Sequence, residues 1–187
     1  MEKIKQKFKD LFKRNPQFEL VELNHIDVSE DPVRPELTLQ FRLNHGRKIL
    51  GLKNENKDMS AIICLAFTNE VPSSVEEMDL MSQDANNQAV HRGGFVGRIA
   101  VAYTVWARNK GGGKHILNEV YKKYKREHHI DRLITLSPLT EMAEKFHLKN
   151  GAKLLRKNEN TQNFEYDITL EQWEEYLDKT KKVLKLV

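Results

Sequence analysis

Three short stretches of this sequence carry residue types that can do chemistry. The first is Arg108-Asn109-Lys110-Gly111-Gly112-Gly113-Lys114. It comes after a run rich in Val, Ile and aromatic residues (98–107) and precedes a helical pattern reaching about Arg126. Consecutive glycines let a backbone turn tightly and present N–H groups without Cβ interference. A helix starting directly after them adds free N–H groups and the positive end of its dipole. Strand, glycines and helix together describe a pyrophosphate cradle, with Lys110 and Lys114 beside it and Arg108 opening it. On the glycines alone, a plain turn explains the segment equally well. A Walker loop would need Ser or Thr after Gly113-Lys114, where His115 stands, and a dinucleotide fingerprint would need glycine at Ile116.

The second stretch is Ile134-Thr-Leu-Ser-Pro-Leu-Thr140. Ser137 ends a predicted strand, and Pro138 keeps it extended, because α-conformation is disfavoured before proline. The bland role for Ser137 is the N-cap of a helix that Pro138 would open. The third stretch is Phe146-His147, near the end of that helix. A lone histidine on a helix is usually structural or solvated. This one lies one short helix from Ser137, so both can face a ligand at the carboxyl edge of a sheet.

Strands and helices must position these residues. Residues 18–28 and 37–43 show strand patterning. In the latter, Leu37, Leu39, Phe41 and Leu43 alternate with polar residues, as a strand with one wet face would. Strands are also predicted over 48–52 and 61–67, the second apolar throughout and therefore central. Residues 82–97 are polar and bear glycine, which reads as a long loop. A strand over 98–107 leads into the glycines and a helix whose Ile116, Leu117, Val120, Tyr121 and Tyr124 form one face. Next come a strand over 132–136 and a helix over 138–148 with Leu139, Met142, Ala143 and Phe146 inward. Gly151 marks its stop. Strands around 153–156 and 164–168 come after it, and Thr169 to Gln172 reads as a capping box opening a last helix. At the other end, residues 1–15 place Ile4, Phe8, Leu11 and Phe12 on one face of an amphipathic helix. This order predicts an α/β (α+β) fold with a mixed, partly parallel central sheet flanked by helices.

With 187 residues, 39% apolar and 31% charged, the chain has the length and balance of one globular domain spanning 1–187. No apolar run reaches the ~20 residues of a bilayer span, so no membrane partner is expected. The single cysteine, Cys64, forms no disulfide within the chain and suits a reducing, cytoplasmic setting, as a small core residue. A net charge of +4 fits binding to a phosphorylated anion without choosing among anions. The basic run Lys122, Lys123, Lys125 and Arg126 has no nucleic-acid-binding motif around it. The seven histidines show neither HxxxH nor HxH spacing, so no metal site is expected.

Beyond residue chemistry and patterning, the sequence resembles the GNAT superfamily of acyl-CoA-binding enzymes. Its pyrophosphate loop, [RQ]xxGx[GA], is matched by Arg108, Gly111 and Gly113, and the segment "AEKFHLKNGA" is similar to a second recurrent piece. The ordered set "AIICLAFTNEVPSSVEEM", "TLSP" and "FHLKNGA" narrows the resemblance to the malonyl-CoA decarboxylase catalytic domain, across roughly residues 47–156. The resemblance implies a GNAT-like sheet, Ser137 and His147 as catalytic pair, and CoA binding by Arg108, Asn109, Lys110, Gly111, Gly112, Gly113 and Lys114. It implies no permanently bound cofactor, only a CoA thioester (malonyl-CoA or acetyl-CoA) as substrate. Acetyltransferases of the superfamily commonly carry tyrosine where His147 stands.

The chain departs from that family in lacking a helical domain ahead of the catalytic one and a helical insertion between "LSP" and "FHL". A minimal enzyme, another acyl-CoA substrate and an altered homo-oligomer are all compatible with this. The chemistry implied is loss of CO₂ from a malonyl thioester, with the enolate stabilised by a donor and the carbon protonated. The helix dipole would favour His147 as imidazolium, a proton donor, with Ser137 orienting the carboxylate or thioester. The rival expectation is a GNAT N-acyltransferase. It usually needs a carboxylate near the strand over 98–107, which offers no Asp or Glu.

Overall fold

The computed structural model describes residues 18–94, 96–126 and 129–166. The amphipathic segment 1–15 and the capping box at Thr169 lie outside the described residues. Seven strands form one sheet: β1 (Glu19–Leu23), β2 (Lys48–Lys53), β3 (Met59–Thr68), β4 (Ile99–Ala107), β5 (Arg132–Pro138), β6 (Lys153–Lys157) and β7 (Thr161–Tyr166). Their order is β1-β2-β3-β4-β5-β7-β6, antiparallel throughout except for the parallel pair β4–β5. Among the described residues four helices flank the sheet: α1 (Leu39–Leu43), α2 (Val75–Arg92), α3 (Gly112–Arg126) and α4 (Glu141–Lys149).

The apolar strand β3 lies third in the order and is covered on both faces, as its sequence requires. Its odd positions Ala61, Ile63, Leu65 and Phe67 meet Ile116, Leu117, Val120, Tyr121 and Tyr124 of α3. Its even positions Ile62, Cys64 and Ala66 meet Met78 of α2 and Tyr103 and Trp106 of β4. Cys64 is fully buried in that second layer, and burial pushes its thiol up to about 11, which leaves it an unreactive core residue.

Two expected elements take a different form. Residues 37–43 do not make a strand. Thr38 Oγ1 accepts from Phe41 N and caps the helix α1. The alternating apolar residues still pack on the second core layer, while Arg42, placed on the wet face by a strand reading, is fully buried. It donates to Asp31 Oδ2 at 2.8 Å and to the carbonyls of Arg34 and Leu37 at 2.7 and 3.0 Å. A buried ion pair with its remaining protons satisfied sets the local backbone here. Nor are residues 82–97 a long loop: α2 runs to Arg92, and Gly93 caps it. Its buried face is Met78, Ser82 and Ala85, too small and polar to read as an apolar stripe. Arg47 Nη1 holds that face, donating to Asp79 Oδ1 at 2.5 Å and to Ser82 Oγ at 3.1 Å.

The pairing of β4 with β5 is what shapes the site. It covers only Ile99↔Arg132 to Ala102↔Thr135, although the strands continue to Ala107 and Pro138. Against β3 the register jumps from Cys64↔Thr104 to Leu65↔Ala102, which makes Tyr103 a bulge residue. The bulge turns β4 away from β5, and the two parallel strands splay at their carboxyl ends. Ala107 leads from that edge into the glycine segment, and Ser137 sits on the same edge.

Candidate active site

At the edge of the splay, the chain turns through residues 108–111 into α3. The N–H groups of Arg108 and Asn109 donate to Ser60 O at 2.9 and 3.3 Å, which pins the turn to β3. Gly111 has φ +85°, a left-handed conformation that glycine adopts at little cost. Gly112 serves close packing, because a Cβ there would lie 2.6 Å from Ser60 O. A Cβ on Gly113 would lie 3.2 Å from the ring of Phe146, so the start of α3 abuts the residue that precedes His147. Lys110 and Lys114 are exposed beside this helix start. Arg108 is turned aside: its Nε donates to Glu30 Oε2 at 3.0 Å, and its Nη2 to the same oxygen. A hollow of about 320 Å³, lined in part by Phe18, Ser60, Asn109, Lys110 and His115, flanks the loop; neither Ser137 nor His147 lines it.

The helix after β5 begins later than its sequence pattern predicts. Pro138 ends the strand, and Thr140, not Ser137, is the N-cap, its Oγ1 accepting from Ala143 N at 3.2 Å. Leu139 and Met142 are consequently exposed rather than inward. Gln162 fixes the turn, its Nε2 donating to Pro138 O and Thr140 O, both at 2.9 Å. The hydroxyl of Ser137 is thereby freed from capping and points to the α3–α4 face of the sheet, with its Oγ 2.8 Å from His147 Nε2.

His147 is only 6% exposed. Its ring stacks on Phe164 with centroids 4.8 Å apart and meets Phe146 edge-on at 5.1 Å. Nδ1 lies 2.8 Å from the hydroxyl of Tyr166, a residue that the sequence pattern places in a strand without marking it. Phe164 and Tyr166, two apart on β7, share the face that carries Ser137 and Thr135 on β5. Burial among these rings pushes the His147 pKa down from 6.5 to about 4, and burial raises that of the Tyr166 phenol. The imidazolium expected from the helix dipole is therefore corrected: desolvation outweighs the dipole, and the ring is neutral near pH 7. A neutral imidazole donates at one nitrogen and accepts at the other. Ser137, His147 and Tyr166 thus form a directed chain of hydrogen bonds, running in one of two senses.

No protein-family model matches the chain, and no curated protein sequence does. Solved structures match its fold. An acetyltransferase from Bacillus subtilis, in complex with CoA, superposes with a TM-score of 0.54 at 9% identity, covering 83% of this chain and 100% of that one. A GNAT-family acetyltransferase from Staphylococcus aureus gives 0.50 at 13% identity, over 81% and 100%. Malonyl-CoA decarboxylase from Agrobacterium vitis gives 0.50 at 17% identity, covering 78% of this chain and 39% of that chain. The fold is GNAT-like. This chain spans about two fifths of the decarboxylase's length.

Proposed function

We propose that this chain is an acyl-CoA enzyme that decarboxylates malonyl-CoA, or a close relative of it, to acetyl-CoA and CO₂. The observation that carries the reading is the Ser137–His147–Tyr166 chain, buried beside the splayed strand ends and next to the start of α3. In this proposal the Tyr166 phenol donates to Nδ1, so the single ring proton sits on Nε2 and points at Ser137 Oγ. The serine hydroxyl, which donates to Thr135 Oγ1 at 3.3 Å, then turns from that long bond to donate to the thioester oxygen. As the bond to the carboxylate breaks, its electron pair moves into the thioester, CO₂ leaves and an enolate oxygen forms. A donor already aimed at that oxygen lowers the barrier, and removing one such donor typically costs ~10²–10³ in rate. The enolate carbon then takes a proton from a solvent water, giving the acetyl thioester, and the hydroxide left combines with the released CO₂ as bicarbonate. The N–H groups at the start of α3, with Lys110 and Lys114, supply an anion site for the CoA pyrophosphate.

A second reading draws on length. The chain matches GNAT acetyltransferases over their whole extent, which suits transfer of an acyl group from CoA to an amine. The two readings differ in what they need. Purified protein with malonyl-CoA and no acceptor is expected to yield acetyl-CoA and CO₂. Absence of both products, with acetyl transfer from acetyl-CoA to an added amine, would replace the first reading by the second.

A further inference from the structure

Arg34 sits in the splay between β4 and β5 and has no part in the Ser137–His147–Tyr166 chain. The rung after the last paired one is Tyr103 opposite Leu136. Strand-to-strand pairing has ended there, and both carbonyls accept instead from Arg34, from its Nε at 2.9 Å and its Nη2 at 3.1 Å. The side chain is placed by the loop between β1 and α1. Asp31 Oδ1 accepts from Arg34 N, and Asp31 is itself tied to β4 by Thr104 Oγ1, at 2.8 Å to each carboxylate oxygen. Arg42 closes the clamp from behind by donating to Arg34 O.

The guanidinium is a buried cation to which no described residue supplies an ion-pair partner. Arg34 is 8% exposed, and among the described residues it forms no ion pair. The nearby carboxylate of Asp31 is engaged by Arg42 and Thr104. Desolvation lowers the Arg34 pKa from its ordinary value, although Glu36, Asp31 and Glu76 act against this from a distance. Buried charges in folded proteins are nearly always paired, because an unpaired one is costly to desolvate. Nη1 has no hydrogen-bond partner among the described residues, and it is not among the sealed, unsatisfied atoms of the core. A free donor on a buried cation is a site for an anion.

The position identifies which anion. Leu136, whose carbonyl holds Arg34, directly precedes Ser137, whose hydroxyl meets His147. Arg34 and the Ser137 hydroxyl thus flank consecutive residues at the carboxyl end of β5, one to meet a terminal carboxylate and the other the thioester oxygen of the same short acyl group. We propose that Arg34 binds a carboxylate on the acyl group, so that the site takes short carboxylated acyl-CoA thioesters in preference to neutral ones. This rests on the proposed function, in which the acyl end of a CoA thioester enters the splay. Arg34 holds the carboxylate in the ground state, before charge moves away to the thioester oxygen. Its contribution is therefore to recognition, and its loss belongs in KM more than in kcat.

The test is calorimetric titration of the Ser137→Ala chain, which removes the serine donor and so minimises turnover, with CoA, butyryl-CoA and malonyl-CoA. Malonyl-CoA is expected to bind at least ~10-fold more tightly than butyryl-CoA, as one charge-assisted contact would give. In the Ser137→Ala/Arg34→Met chain that gap is expected to close while CoA affinity holds. The first comparison needs no Arg34 variant, so it stands even where Arg34→Met does not fold. Equal affinity for malonyl-CoA and butyryl-CoA, or a gap that survives Arg34→Met, overturns the assignment of Arg34 and leaves the CoA reading intact. Failure of all three to bind overturns the CoA reading, and the Arg34 assignment with it.

Discussion

Ser137 Oγ and His147 Nε2 stand 2.8 Å apart, one from the end of β5 and the other from the last turn of α4, joined by a turn that Gln162 locks in place. A serine whose only task was capping would bond a backbone N–H, and that task has passed to Thr140. Ser137→Ala and His147→Asn are each expected to fold and bind CoA, and to lose decarboxylation by at least ~10²-fold. The double variant is expected to be little worse than the poorer single one, since groups acting as a unit are not additive. Initial rates with malonyl-CoA check this, and wild-type turnover in either variant removes that residue from the assignment.

Burial of the ring sets the pH behaviour. The His147 pKa is 6.5 free and about 4 in the fold, so between these values the unfolded chain binds more protons than the native one. Stability then rises with pH. The contribution, about 3.5 kcal/mol, is complete above about pH 6.5 and is lost as pH falls toward 4. Urea unfolding of wild type against His147→Asn over this window isolates the histidine from the carboxylates. Turnover per folded molecule is expected to stay level from about pH 5.5 to 8 and to decline only toward 4. A rate that falls as pH rises through about 6.5 would mean that the imidazolium is the working form.

The three glycines do different jobs, and substitution separates them. Gly112→Ala drives a Cβ to 2.6 Å from Ser60 O, a backbone atom that cannot yield, so its effect is on stability, by about 1–3 kcal/mol. Gly111→Ala forces an L-residue to φ +85° with only an ordinary contact to the His115 ring at 3.8 Å, at a cost of about 1–2 kcal/mol. Gly113→Ala meets only the edge of Phe146 at 3.2 Å, a ring that can shift. It is expected to weaken CoA binding more than it lowers the melting temperature. Unchanged affinity in a folded Gly113→Ala protein would make the segment a turn and nothing more.

How legible each element is in the sequence depends on the kind of signal it holds. The all-apolar β3 and the one-sided α3 are legible because burial on two faces, or on one, writes itself into hydrophobic period. The closeness of Ser137 and His147 is legible because a single short helix separates them in the chain. α2 is not, because its buried face beyond Met78 is only Ser82 and Ala85, held by a distant arginine, an interaction with no period. α1 mimics a strand because Leu37 ahead of it and its own Leu39, Phe41 and Leu43 alternate, while the deciding contacts, Arg42 with Asp31 and Thr38 with its own helix, are polar and partly non-local. The charge state of His147 is hidden for a related reason. The helix dipole is visible from position in the chain, but Phe164 and Tyr166, which dry the ring, come from a strand that closes on it only in three dimensions.

The Asp31–Arg42 pair positions the loop that carries Arg34, and both side chains are fully buried. Asp31→Ala leaves Arg42 uncompensated in the core, which is expected to cost ~3–5 kcal/mol in urea unfolding. A loss below ~1 kcal/mol would show that the loop is held by its apolar contacts instead.

Tyr166→Phe tests the far end of the hydrogen-bonded chain while keeping the ring that packs against His147 at 5.9 Å. Tyr166 is a positioning residue in this scheme: its hydroxyl acts on Nδ1 and reaches Ser137 through His147. Removing the hydroxyl leaves Nδ1 buried without a partner, worth about 1–3 kcal/mol, and frees the ring proton to move between the two nitrogens. The fraction of His147 with its proton on Nε2 is then expected to fall, which ¹⁵N chemical shifts of the imidazole read directly. The kcat for malonyl-CoA is expected to drop ~10-fold with KM nearly unchanged, because the contact bears on the transition state and not on CoA binding. In a His147→Asn background the same substitution is expected to cost no further rate, since the group through which it acts is gone. A merely structural tyrosine would lower the melting temperature and leave the tautomer ratio and the kcat per folded molecule where they were. That result would detach Tyr166 from the site while leaving Ser137 and His147 in place.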